Sequence, residues 1–478
     1  MADTAIDQRG LKLSGATAAQ AAAFDAVVRY YFEHRLSAYP ELKALCAEAP
    51  DFAFAHLFKG FLLLSMGTRD TVPAARACHA HVRERADHLT ARELCHLRAL
   101  DAWARGDSLE ACRCWDEALR AEPLDLPALR LQHFALFWLG DAARMRAVLA
   151  RVLPAWGRDL PGYANVLGMH AFALNETGDF AAAEQAGRAA VERDPEDLWA
   201  LHALAHVFEM QGRLTEGSAW LDAPLDRWAD RNPFAGHLWW HAAMFAWEKG
   251  EFERELALYD DAVRPAESTF YLDIQNSASL LARLEFAGIE VGGRWEELAD
   301  AAQERLGDHV LLFTEPHCAM AFGRSGRAEQ AARHLASLRE FARESEVSGA
   351  RWIAPLVAPL CEAIGDFYDG DFAAATARFT ALRGRYPALG GSHAQRDVFE
   401  CYRIDAAARS GDLAQARAWL SERVAARANS YVSWQKYAEV CAALGDDRAA
   451  QEARRQCARI AAAHRELEAA AGWLPEGG

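Results

Sequence analysis

Histidines four residues apart on a helix aim both imidazoles at one point, and this sequence carries two such pairs close together: His202 with His206, and His237 with His241. Neutral imidazole is a ligand for zinc and other divalent transition metals, so the two pairs offer up to four nitrogens to one ion. Glu209 lies three residues beyond His206 and can act as a further ligand or as a general base. The H-E-x-x-H arrangement of one metalloprotease class is absent, so its ready-made base is missing. The catalytic candidates are His206, Glu209 and His241, and the metal candidates are His202, His206, His237 and His241.

The elements that must position these residues are set by glycines that each close an Ala-rich helical run and precede another. They are Gly67, Gly106, Gly140, Gly178, Gly212, Gly250, Gly288, Gly326, Gly370, Gly411 and Gly445. Their gaps run from 34 to 44 residues, close to the 34-residue period of tetratricopeptide repeats with short insertions. Companion positions keep the phase. Alanine stands five residues after the glycine at Ala111, Ala183, Ala331, Ala375, Ala416 and Ala450, where two helices must approach closely. Phe or Leu stands two after it at Phe180, Leu214, Phe252, Phe372 and Leu413. No segment shows the alternation of β-branched residues that marks strands. The pattern predicts an all-α, tetratricopeptide-type solenoid of about eleven helix pairs over residues 14–461, wound into a superhelix with a concave groove. Residues 1–13 read as a tail, and residues 462–478 as a capping helix and tail.

In such a repeat the first helix of each pair lines the groove. Counting back from each turn glycine at 100° per residue places one broad face on the groove side. His202, His206 and Glu209 share it in one repeat, and His237, Trp240 and His241 in the next. Asn165 and Glu176 precede them on that face, and Gln275, Ser279 and His317 follow. These eleven residues are the candidate ligand-binding set. Trp239 and Trp240 point about 100° apart on a helix, which sends Trp240 to the groove and Trp239 to the core. By the same count His133 and His170 point away. Asp273 and Ser279 lack a G-x-S-x-G elbow, so Asp273 reads as a residue at a helix start.

Residues 200–322 resemble the tetratricopeptide repeat protein 38 family. The motifs are Leu201-His-Ala-Leu-Ala-His-Val-Phe-Glu-Met-Gln-Gly-Arg213, Glu216-Gly217, Gly236-His-Leu-Trp-Trp-His241, Leu256-Ala-Leu-Tyr-Asp260, Leu272-Asp273 with Ser279-Leu-Leu, Arg283-Leu-Glu285, Arg294-Trp295 and His317-Cys-Ala-Met-Ala-Phe322. The resemblance implies the α-solenoid fold and no settled reaction. Where that family pattern usually places an acidic residue after Leu-Asp, this chain has Asn276, which argues against a metal-binding carboxylate there.

Composition sets the outer bounds. The chain has 478 residues, 52% of them hydrophobic, and a formal net charge of −16. That charge gives no general attraction to phosphate backbones or anionic lipids, so neither nucleic acid nor membrane is an expected partner. Five lysines against 47 arginines, with abundant alanine, read as a GC-rich bacterial genome. No basic and apolar leader opens the sequence, which predicts a cytoplasmic protein. Its ten cysteines form no C-x-x-C pair and read as reduced, buried thiols. The function expected is a binding or scaffold protein whose His/Trp/Glu-lined pocket takes a peptide, a protein or a small polar molecule. The alternative is a hydrolase or other enzyme using the groove histidines, with a divalent metal as the candidate cofactor. The sequence leaves open both the presence of a metal and a homo-oligomer.

Overall fold

All eleven turn glycines adopt a positive φ, between 61° and 88°, in the computed structural model, which describes residues 4–345 and 347–470. The left-handed conformation ends one helix, and the next residue starts another. Asp107, Asp141, Asp371 and Asp412 each follow a turn glycine and cap the new helix, their side chains accepting from the backbone N–H three residues on. A Gly-Asp dipeptide is thus a complete local instruction for a helical hairpin.

The described residues form twelve helix pairs, one more than the glycines count. The additional pair is the first, Ala18–Phe32 with Ala38–Glu48. Its turn is made by His34, whose φ of 56° puts a non-glycine residue in the left-handed region. The twelfth pair is Tyr431–Ala443 with Asp447–Ala470. Residues 462–470 therefore continue the twelfth pair's second helix instead of forming a separate cap, and residues 471–478 lie outside the described residues. The expected tail at 1–13 is replaced by an antiparallel hairpin, Thr4–Ile6 with Lys12–Ser14. The Asp7 carboxylate accepts from the backbone N–H groups of Arg9 and Leu11 and from the Arg9 guanidinium, which fixes the turn. Ser14 then donates through its N–H and hydroxyl to Glu93, tying the hairpin to the third pair.

First helices are inner and second helices outer. Leu198–Met210, a first helix, buries twelve of its thirteen residues, whereas the outer helix Ala328–Glu344 buries only His334 and Leu338. The inner helices are covered on all sides because the superhelix closes on itself about every six pairs. The helix Tyr271–Phe286 packs on His393–Arg409, and Phe234–Lys249 packs on Tyr431–Ala443. Between turns, the His393 N–H donates to Glu176 at 3.3 Å, the Asn429 amide to the Gly212 carbonyl at 2.9 Å, and Arg427 to Glu248 at 2.7 Å. The inner stripe is in place, but around His202, His206, His237 and His241 the groove side is buried. All ten cysteines are free thiols, nine of them buried. No helix among the described residues is long and apolar enough to cross a membrane.

Candidate metal centre

Leu198–Met210 of the sixth pair and Phe234–Lys249 of the seventh lie side by side, each bringing two histidines to their shared inner face. The local start of the sixth-pair helix is well determined: the Asp197 carboxylate accepts from the N–H groups of Trp199 and Ala200, and Asn165 donates to its other oxygen. That cap sets the rotation of His202 and His206, one and two turns further on.

The four imidazoles converge. His202 Nε2 and His206 Nε2 are 2.9 Å apart, ring centroids of His206 and His241 are 4.4 Å apart, and His202, His237 and His241 are mutually at 5.0 Å. One ligand atom from each of the four can be chosen so that all lie within 4.8 Å of one another. In a tetrahedral zinc site with Zn–N near 2.0–2.1 Å the nitrogens stand about 3.4 Å apart, so closing on an ion takes inward movement of about 1 Å.

Two of the rings are held by partners behind them. The Nδ1–H of His237 donates to the Asn276 side-chain oxygen at 2.9 Å, and His241 Nδ1 meets Glu209 Oε2 at 3.2 Å. Both contacts leave Nε2 to face the chamber, the arrangement that orients imidazole ligands in metal sites. His241 Nε2 has no protein hydrogen-bond partner. Trp240 stacks on His237 at 5.1 Å with the planes 8° apart, and its indole N–H donates to Ser279 at 2.9 Å. Trp239 turns the other way and packs on Trp228.

Electrostatics keep the rings available. Burial pushes the His237 and His241 imidazoles down to about 3, with the Arg283 charge adding to the effect on His241. His202 and His206 lie well below the usual histidine range, first through burial and then through neighbouring histidines. All four are neutral at physiological pH, the form that ligates. Burial raises Glu209 to about 7, against the opposing charges of Arg427 and Arg283.

Of the eleven expected binding residues, seven come together here: His202, His206, Glu209, His237, Trp240, His241 and Ser279. The other four are held elsewhere. Asn165 serves the Asp197 cap, Glu176 bridges to the next superhelical turn, Gln275 donates to Thr314 at 2.9 Å, and His317 donates to the Phe313 carbonyl at 2.8 Å. Asn276, expected only as a departure from a family pattern, is the support of His237. His133 is a packing histidine, buried 5.5 Å from Trp199 and 5.8 Å from Phe172.

No protein-family model matches the chain. Solved structures similar to it include a human IFIT1 dimer with PPP-AAAA, at 14% identity over 96% of each chain with a TM-score of 0.41. The TPR domain of P58(IPK) aligns at 12% identity over 80% of this chain and 99% of that one, with a TM-score of 0.23. The tetratricopeptide-type assignment stands on the twelve hairpins themselves.

Proposed function

We propose that this helical-repeat protein is a metal-binding protein that holds one divalent transition-metal ion inside its superhelix, on His202, His206, His237 and His241. The observation that carries the reading is the convergence of four neutral imidazoles, two of them fixed from behind by Glu209 and Asn276. An all-imidazole set suits zinc, copper, iron or nickel more than magnesium or calcium, which prefer oxygen. Four protein ligands with little solvent access favour a closed site over a hydrolytic one, which keeps a position open for water. Binding therefore ranks ahead of hydrolysis, and a small ion ahead of a peptide on a face that the next turn covers.

The assignment to the tetratricopeptide repeat protein 38 family belongs to the same proposal. The motifs that carry the resemblance, His202 to Glu209, Gly236 to His241 and Leu272 to Ser279, are those that build the chamber. A small polar ligand, the earlier expectation, finds better support in an open cavity of about 620 Å³ lined by Glu285, Arg324, Tyr368, Tyr402, Asp405 and Arg409.

Elemental analysis of the purified protein, followed by zinc, nickel and copper titration after chelation, tests the reading. One ion per chain is expected in wild type and none in a protein carrying both His202→Ala and His206→Ala. Equal metal uptake by the two proteins would rule the site out.

A further inference from the structure

Eight arginines are buried among the described residues. Six of them pair with carboxylates, as Arg92 does with Asp125 and Arg423 with Asp397. Arg283 has no carboxylate but donates to the backbone carbonyls of Ser279 and Ala394 at 3.1 and 2.8 Å. Arg130 differs from all of these. It is 5% exposed, carries a buried NH1 with no partner, and makes no ion pair with any described residue. It donates a hydrogen bond to the Tyr31 hydroxyl.

Its guanidinium carbon lies over the Trp199 ring, 4.0 Å from the centroid. A cation–π contact does not satisfy the N–H groups, and NH1 is left to be met by something else. The Asp197 carboxylate feels the Arg130 charge without forming an ion pair with it, being taken up by the Trp199 and Ala200 N–H groups and by Asn165. The indole N–H of Trp199 and both ring nitrogens of His133 are buried without partners. His133 is one turn from Arg130 on the helix Leu126–Trp138. The walls are aromatic: Trp199 is 4.9 Å from Phe172 and 5.4 Å from Phe234. Trp199 is also 5.0 Å from His202, so this corner adjoins the four-histidine chamber.

A buried cation with an unpartnered N–H edge and no carboxylate in contact is costly, and a counter-charge arriving there would offset that cost. We propose that Arg130 anchors the oxyanion group, carboxylate or phosphate, of a small ligand that enters the corner formed by Tyr31, His133 and Trp199. A planar guanidinium presents paired N–H donors that match either group. Aromatic walls favour a ligand whose body is apolar, so an aromatic carboxylate binds better than acetate. The site goes beyond the metal reading and does not require it, since the anchor is the protein's own cation.

The test is thermal melting of the full chain, as purified and after chelation, in benzoate, acetate or phosphate against chloride at equal ionic strength. Wild type gains several degrees in benzoate or phosphate in both forms, and which of them acts identifies the group bound. Arg130→Met shows no such gain and melts no lower than wild type without anion, because methionine removes a buried charge at similar volume. Tyr31→Phe, which keeps the ring, weakens the anion response. Absence of an anion-specific gain in wild type, or its persistence in Arg130→Met, overturns the proposal. Metal content of the same samples reports on the histidine chamber separately: a protein without metal that still gains from anion fails the metal reading alone.

Discussion

The Nε2 atoms of His202 and His206 face each other at 2.9 Å, and at that distance one must carry the hydrogen while the other offers its lone pair. The two rings are therefore opposite tautomers. Neither Nδ1 has a protein partner, so the ring bonded through its lone pair is left with a buried N–H at Nδ1. The arrangement is under-satisfied as it stands. An ion placed between the rings would use both Nε2 lone pairs at once and leave both Nδ1–H groups without a protein acceptor, so the metal reading rests on the convergence of the four rings and on the groups behind His237 and His241.

Acid should destabilise the metal-free protein through these rings. Each is neutral in the fold with its imidazole held down, to about 3 for His237 and His241, whereas in the unfolded chain it protonates near 6.5. Their stabilising contribution is thus complete above pH 6.5 and is lost as pH falls toward 3. Each ring contributes a slope of up to about 1.4 kcal/mol per pH unit in that window, about 5 for all four. Glu209, raised to about 7, works the other way, binding its proton more tightly in the fold between pH 7 and 4.5, but it is one group against four. Urea melts at pH 7.5, 6 and 5 measure the slope. A flat profile would mean that the rings are solvated.

The groups behind the ligands should tune metal affinity in opposite directions. Glu209→Gln removes the carboxylate from His241 and should weaken binding about 10- to 100-fold. Asn276→Asp places a carboxylate on His237 Nδ1 and should tighten binding. Competition against a chromogenic chelator gives both constants. Similar effects of the two substitutions would show that Glu209 and Asn276 are packing residues and no more.

Access to the chamber should depend on the first helix pair. His34 stacks on Phe234 at 4.4 Å, and Phe234 in turn lies 5.2 Å from His202, so the turn of that pair covers the site. Arg35 clasps the pair to later repeats through Asp230 at 2.5 Å and Glu196 at 3.7 Å. Those carboxylates are exposed, so Arg35→Ala should cost less than about 1 kcal/mol of stability. Metal uptake and chelator stripping should nevertheless accelerate several-fold, read by stopped flow. Unchanged rates would place the entry route elsewhere.

What the sequence revealed and what it hid divide along sequence distance. Turn glycines and the four-residue spacing of the histidines are local, and they specified eleven of the twelve hairpins and the face that carries His202, His206, His237 and His241. The first hairpin escaped because His34 performs the glycine's task, 33 residues before Gly67 and in phase with it. The hairpin at Thr4–Ser14 escaped because its strands are only three residues long, although its turn uses Gly10 in the left-handed region beside the Asp7–Arg9 contacts. The closure of the groove was hidden for a different reason. It depends on superhelical pitch, which brings Glu176 to His393 across 217 residues, and no local pattern encodes that number. Arg130 likewise reads as one arginine among 47 until its lack of a carboxylate is seen in three dimensions.

The tight winding itself can be tested with two glycines that share a local conformation and differ only across the superhelix. Gly140 and Gly178 both end first helices, with φ of 70° and 81°. A Cβ on Gly178 would meet nothing within 4 Å, so Gly178→Ala bears only the cost of a left-handed alanine, about 1–2 kcal/mol. A Cβ on Gly140 would sit 1.8 Å from the Pro387 carbonyl oxygen, a backbone atom of the next superhelical turn that cannot rotate aside. Gly140→Ala should therefore cost more by about 1–3 kcal/mol, the range for forcing extra volume into a packed interior. It should also loosen the contact that covers the inner helices, raising hydrogen exchange in Leu126–Trp138 and His393–Arg409 together. Equal melting temperatures for the two variants would mean that the turns stand apart in solution. The histidine chamber would then open onto a groove, and the case for a closed metal site would fall with the winding that encloses it.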